Sequence, residues 1–214
     1  MLSSPVMKIS CLLPLTLALL GACRSASVGP WSQKFTPPSG YDTQRIHLEP
    51  LGAQHAEIDH AAFMSSRDYL KRTLHWGDWP REDMTVEENT ADLQRHWTEF
   101  AMREAYAFTV LSPDRTRCLG CVYLNPERIG FGDDPSVLLA YWVVESELAN
   151  NLDRHLVKSV LEWIRRDWPF KTVFLAPHID DARARGLAVE FRMRPIEVSG
   201  EAVSDRTIFA WPGR

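Results

Sequence analysis

The sequence is poor in cysteine, has no apolar run long enough for a membrane span, and carries no surplus of positive charge. Four cysteines in 214 residues do not make a disulfide framework. The longest apolar stretch, around residues 12–20, is on the order of a dozen residues with its flanks, against the ~20 that a transmembrane helix needs. A net charge of −4 provides no basic surface for nucleic acid. No segment repeats, which excludes a solenoid. What is there is an ordinary globular composition, 45% hydrophobic and 24% charged, in a chain of single-domain length. Eight tryptophans sit mostly among other apolar residues and read as core.

Residues 7–23, MKISCLLPLTLALLGAC, begin with the positive Lys8, run through leucines and close on Leu20-Gly21-Ala22-Cys23. Small residues before a cysteine are what a signal peptidase cuts. The segment resembles the lipobox of bacterial lipoproteins, which implies that Cys23 is acylated and becomes the mature N-terminus. Arg24 follows it; an aspartate there would imply retention at the inner membrane. The resemblance therefore implies an outer-membrane lipoprotein facing the periplasm. On this reading residues 1–23 are a signal peptide, 24–40 a Ser/Gly/Pro-rich tether and 41–214 the folded domain. The competing reading is a later start and a cytoplasmic protein. Met64 is the next methionine, and starting there deletes the first strand and most of the first helix. That reading therefore needs a non-methionine start, for instance at Val28.

Residues 45–51 alternate apolar and polar and predict a strand. Ile58, Ala62, Ser65 and Tyr69 recur at helical spacing and predict one helix over 53–71. Thr85 and Glu88 have the spacing of a capping box. Val86, Leu93, Trp97, Phe100 and Ala101 predict the buried face of a second helix. Residues 106–111 and 117–124 predict a hairpin around Ser112-Pro113-Asp114, and 125–135 a Gly/Pro/Asp loop. Residues 137–144, VLLAYWVV, predict a strand covered on both faces. Leu152, Leu156, Val160, Trp163 and Ile164 mark a third helix. Residues 172–176 predict a buried strand, 180–191 a fourth helix, and 196–198 with 207–211 a closing strand pair. Cys118 and Cys121, three apart on a strand, are expected on opposite faces as buried structural thiols; a metal site of the CxxC type lacks its second pair. His55 and His60, five apart on a helix, share no face and predict no metal site.

The element order is α+β: a mixed sheet with helices on both faces. That layout, together with the words LQRHWTEF, YAFTVLSPDRTRCLGCVYLNP and YWVV, resembles the GNAT N-acetyltransferase superfamily over residues 45–211. The resemblance implies a mostly antiparallel sheet with one splayed parallel strand pair, 138–144 and 172–176, and acetyl-CoA in the gap as acyl donor. It implies pantetheine pairing with main-chain groups near Val143 and Val144. It also implies a pyrophosphate on the backbone amides around Asn150, Asn151 and Leu152, where a helix N-terminus favours an anion. Residues 145–153, ESELANNLD, lack the arginine and glycines that the family usually has there; Arg154 is the nearest cation in the sequence. Asp153 reads equally as an early-helix charge.

The family also implies a glutamate base and a tyrosine acid. Glu145 ends the central strand and is the candidate base, or else a solvated strand-end carboxylate. Residues 180–189 contain no tyrosine. Tyr123 is a catalytic candidate, and it and Asn125 end the hairpin strand on the expected substrate side; the alternative for Tyr123 is packing with a wet hydroxyl. His178, Asp180 and Asp181 read as an acid/base or metal cluster, or as turn and cap chemistry. No metal cofactor is expected. Two functions follow. One is an N-acetyltransferase acting on a small-molecule or peptide amine and anchored to the envelope; a variant uses another acyl donor. The other is a non-catalytic GNAT-like binding module tethered there, which the export signal and the acidic, glycine-free turn favour.

Overall fold

The computed structural model describes residues 35–126, 135–197 and 205–213. The signal segment with Cys23, most of the tether and most of the 125–135 loop lie outside these residues. The described elements are β1 Tyr41–Asp42, β2 His47–Pro50, α1 Ala56–Ser65, α2 Arg67–Leu74, α3 Val86–Met102, β3 Tyr106–Leu111, β4 Cys118–Pro126, β5 Ser136–Val143, α4 Leu152–Asp167, β6 Thr172–Leu175, α5 Ala182–Glu190, β7 Arg194–Ile196 and β8 Ile208–Pro212. The strands form one eight-stranded sheet in the order β1-β2-β3-β4-β5-β6-β8-β7. Every neighbouring pair is antiparallel except β5 and β6. This is the mixed α+β sheet that the element order predicts, and the mostly antiparallel pairing that the family resemblance implies.

A core lies on each face of the sheet. Along β3, Tyr106, Phe108 and Val110 join Leu156, Val160 and Trp163 of α4, whereas Ala107 and Leu111 join Phe63 of α1 and Leu93 of α3. The two-residue period of a strand sends alternate side chains to opposite cores. The predicted capping box is present: Thr85 Oγ1 accepts from the Glu88 N–H at 3.2 Å, and Glu88 Oε2 accepts from the Thr85 N–H at 2.9 Å.

The structure corrects four expectations. The helix expected over 53–71 is a 3-10 turn at Ala53–His55 followed by α1 and α2, broken at Ser66 (φ −119°, ψ 13°). The Ser66 hydroxyl accepts from the Glu145 N–H at 2.9 Å, so the break ties the helices to the end of β5. The inward row of α3 is Asn89, Leu93, His96 and Phe100; Trp97 is 46% exposed and Ala101 is exposed. Asn89 displaces the apparent apolar stripe because its amide donates to Ala56 O and Asp59 Oδ2, both at 3.0 Å. The middle of β5 is not covered on both faces: Leu138, Ala140 and Tyr141 are half-buried and border a cavity.

The fourth correction concerns the cysteines. Register along β3 and β4 passes from Val110↔Gly120 to Leu111↔Cys118, so Leu119 is an extra residue in a bulge. Gly120 takes φ +155°, and a Cβ there would stand 2.0 Å from the Trp142 carbonyl oxygen, so only glycine fits. The bulge turns Cys118 onto the face of Cys121, and both thiols reach Asp59 Oδ1, at 3.7 and 3.2 Å. Both are buried and free.

Candidate active site

The parallel pairing of β5 with β6 runs from Ser136↔Thr172 to Leu139↔Leu175 and stops. β5 continues to Val143, while the other chain turns off through Ala176 and Pro177. The parting opens a cavity of about 560 Å³ bordered by residues 138–143 on one side and Leu175, Ala176 and Pro177 on the other. The Val144 N–H donates to Leu119 O at 2.9 Å and so points toward β4. Main-chain groups alternate along a strand, so Tyr141 and Val143 turn theirs toward the opening. Val143 thus turns its main-chain groups into the opening, whereas the Val144 N–H is taken by Leu119 O.

At one end of the cavity lies the turn between β5 and α4. It consists of a 3-10 turn at Glu145–Glu147 and Asn151 in the left-handed region (φ 54°), after which α4 begins at Leu152. The first amides of a helix have no intrahelical partner, so this end suits an anion. Leu152 buries its side chain in the core, while Asn150 and Asn151 are exposed. Arg154 pairs with Glu190 of α5 at 2.5 Å.

The acidic turn is surrounded by arginines from elsewhere. Arg45 Nη2 donates to Asn150 O and Arg183 Nη2 to Leu148 O, each at 2.9 Å. Arg72 lies 3.7 Å from Glu145 and Arg117 lies 4.0 Å from Glu147. Arg183 of α5 also grips Asp153, donating from Nε to Oδ2 and from Nη2 to Oδ1 at 2.8 Å. Asp153 is 3% exposed and is therefore a buried ion partner as well as an early-helix charge. Arg183 reaches the turn from α5, and its local sequence, ARARGL, gives no hint of it.

The other wall is aromatic. Tyr69, Trp76, Trp79, His96, Tyr123 and Trp142 border the cavity, with Asp92 and Asn125 among them. Tyr123 Oη accepts from Trp142 Nε1 at 3.3 Å, and its ring lies 5.7 Å from Trp76 and 5.4 Å from His96. Burial, then the neighbouring Cys121 and Asp59, push the Tyr123 hydroxyl well above its ordinary value, so it stays protonated at neutral pH. Tyr141 behaves alike, through burial and then Asp181 and Asp153. Burial, then the Arg95 guanidinium, lower the His96 imidazole below its ordinary 6.5, which keeps it neutral. His96 Nδ1 lies 3.1 Å from Glu99 Oε2, and Nε2 accepts from Arg95 Nη2 at 3.1 Å.

Glu145 stands apart from this wall. Its side chain is 52% exposed and does not border the cavity, matching the solvated strand-end reading. Asp181 caps α5 by accepting from the Ala184 N–H at 2.9 Å. The His178 ring stacks on His75 at 3.6 Å and its Nδ1 accepts from the Asp180 N–H at 3.2 Å. Sequence reading passed over Asp92 and His96. The signal was the inward row of α3, hidden because the apolar residues alone suggested a different face. Among the described residues, no helix is long and apolar enough to cross a membrane.

No protein-family model matches the sequence, and no curated protein matches it. Solved structures do match. A putative ribosomal-protein-serine acetyltransferase from Vibrio cholerae superposes with a TM-score of 0.68 at 16% identity, covering 83% of this chain and 99% of that one. The microcin self-immunity acetyltransferase MccE, in complex with acetyl-CoA and AMP, gives 0.65 at 12% identity, covering 82% and 97%. A putative GNAT-family acetyltransferase from Bordetella pertussis gives 0.61 at 16%, covering 81% and 99%. With one splayed parallel pair in an otherwise antiparallel sheet, the chain has the GNAT acetyltransferase fold.

Proposed function

We propose that the chain is an acyl-CoA-dependent N-acyltransferase acting on a small-molecule or peptide amine. The observation that carries this reading is the unpaired edge of β5, where Tyr141 and Val143 turn main-chain groups into a cavity between the start of α4 and an aromatic wall. An amide-bearing pantetheine arm suits such an edge. The first-turn amides of α4 and Arg183 suit its pyrophosphate. MccE, which shares the fold, was solved with acetyl-CoA. Acyl-CoA, when bound, supplies a thioester carbonyl for attack by an amine.

The residues of this chain then divide the work. The Val143 N–H polarises the carbonyl oxygen. Neutral His96 takes the proton that the amine loses at Nε2, once the Arg95 contact there opens, with Glu99 holding Nδ1. The protonated Tyr123 hydroxyl gives a proton to the departing sulfur. Asp92 and Asn125 supply polar contacts for the acceptor inside an apolar wall. The lipobox at residues 20–23 supports delivery of this domain to the cell envelope on a lipid at Cys23.

One observation favours a second reading, a non-catalytic envelope module. Asp153 already neutralises Arg183, so the α5 arginine that reaches the turn is committed to a carboxylate. Calorimetric titration of the full chain with acetyl-CoA separates the two. Binding in the micromolar range, with coenzyme A thiol released on adding an amine, supports the enzyme. Silence at millimolar acetyl-CoA supports the module.

A further inference from the structure

Beneath the aromatic wall, on the α1 side of the sheet, lies a cluster that the proposed chemistry does not use. Asp59 of α1 and Cys118 and Cys121 of β4 place one carboxylate oxygen and two sulfurs within 4.8 Å of one another. All three residues are buried, Asp59 at 4% exposure. The donors within reach of the Asp59 carboxylate are Asn89 Nδ2, at 3.0 Å, and the two thiols, of which Cys118 lies nearer to Gly120 O, at 3.4 Å. Thiols are weak donors, and a buried carboxylate normally pairs with a cation or a strong donor set. The arrangement is also built at a cost, since it depends on the Gly120 bulge and its left-handed-side backbone. Without that bulge Cys118 would point away.

We propose that Asp59, Cys118 and Cys121 form a buried, three-ligand site for one zinc ion. The spacing supports this. A tetrahedral zinc with a thiolate at about 2.3 Å and a carboxylate oxygen at about 2.0 Å sets the two ligand atoms about 3.5 Å apart. Asp59 Oδ1 lies 3.2 Å from Cys121 Sγ and 3.7 Å from Cys118 Sγ, on either side of that value. Two thiols and one carboxylate form a donor set that favours zinc over magnesium or calcium. Binding replaces the two thiol protons, which leave to solvent, and the fourth position goes to a water. Asn89 is the outer support: its amide holds the second oxygen of Asp59 and is itself anchored on Ala56 O at 3.0 Å, as a ligand carboxylate requires. Thr109 Oγ1, 3.6 Å from Cys118 Sγ, steadies that sulfur. The ion would clamp α1 and, through Asn89, α3 onto β4, under Tyr123 and Trp142.

Because the ligands are closed over, the ion is taken up as the chain folds. The test is to refold the full chain from denaturant with equimolar cobalt(II) or zinc(II), remove excess metal by gel filtration, and record spectra and metal content. The expected result is one metal per chain, a near-ultraviolet thiolate-to-cobalt charge-transfer band with tetrahedral visible bands, and a thermal midpoint raised over metal-free refolded protein. Cys121→Ser abolishes the charge-transfer band or halves it. Asn89→Ala, which leaves every ligand in place, weakens metal retention about 10-fold or more. A wild-type chain that refolds with the same thermal midpoint with or without metal, retains less than a tenth of an equivalent and shows no charge-transfer band overturns the proposal and leaves two structural thiols.

Discussion

Arg183 and Asp153 make a two-point ion pair between α5 and the first turn of α4, with Nη2 to Oδ1 at 2.8 Å. Asp153 is buried and Arg183 is not, with side-chain exposures of 4% and 40%. The pair therefore joins a charge that needs a partner to one that can also face the cavity. Removing the guanidinium leaves Asp153 buried alone. We expect Arg183→Ala to lower stability by about 2 kcal/mol, less than the roughly 3–5 kcal/mol of a fully buried pair, because solvent reaches Arg183. Asp153→Asn frees the guanidinium for an anion, so it should tighten acetyl-CoA binding while Arg183→Ala weakens it. Thermal unfolding and calorimetry on the two variants and the double variant measure both effects.

The unpaired edge of β5 can be probed with a residue that lacks an N–H. The Val143 N–H faces the opening, so proline there removes no ladder bond. Val143→Pro should cost about 1–2 kcal/mol, because the Val143 side chain is buried in the core, less than the same change at Val144, and should lower kcat about 100-fold. The same change at Val144, whose N–H donates to Leu119 O, should destabilise the fold. If both variants retain full turnover, the edge plays no part in acyl transfer.

Proton transfer should show in the pH profile. Burial and Arg95 hold His96 below 6.5 in the folded chain, so an unfolded chain takes up this proton first as pH falls. His96 therefore contributes stability that is present above 6.5 and is lost as pH falls below it. As a base, it should place the acid limb of kcat/KM below 6.5, and His96→Gln should remove that limb and cost about 100-fold in rate. Tyr123→Phe should lower kcat by a similar factor, and loss of the Trp142 partner should cost about 1 kcal/mol.

Gly120 carries the bulge. Because a Cβ would stand 2.0 Å from Trp142 O and 3.0 Å from Val143 Cα, Gly120→Ala should cost about 2–3 kcal/mol. It should also separate Cys118 from Asp59, which faster thiol labelling of the folded chain would report.

The envelope reading rests on Cys23. Metabolic labelling with palmitate should tag the wild type, and Cys23→Ala should abolish the label. A wild type that never labels removes the lipid anchor from the account.

Local chemistry was legible wherever neighbours in sequence are neighbours in space. Thr85 and Glu88 announced the start of α3, and the turn at Ser112-Pro113-Asp114 announced the hairpin of β3 and β4. Period reasoning failed where one residue broke the pattern. Leu119 adds a residue to β4 and reverses which way Cys118 points. Asn89 occupies an inward place through hydrogen bonds rather than apolarity, so Trp97 was assigned to the wrong side.

The sequence by itself determined most of the strands, the capped second helix and the long helix α4, because propensity and period act over a few residues; the parallel pair came only as what the family resemblance implies. Only the tertiary structure decided the site. It brought Arg45, Arg72, Arg117 and Arg183 around a turn that reads as acidic. It also placed His96 on the cavity wall and Glu145 off it, and gathered Asp59, Cys118 and Cys121 around one point. Electrostatics and ligation depend on distances through space, and those distances join residues that the sequence keeps far apart.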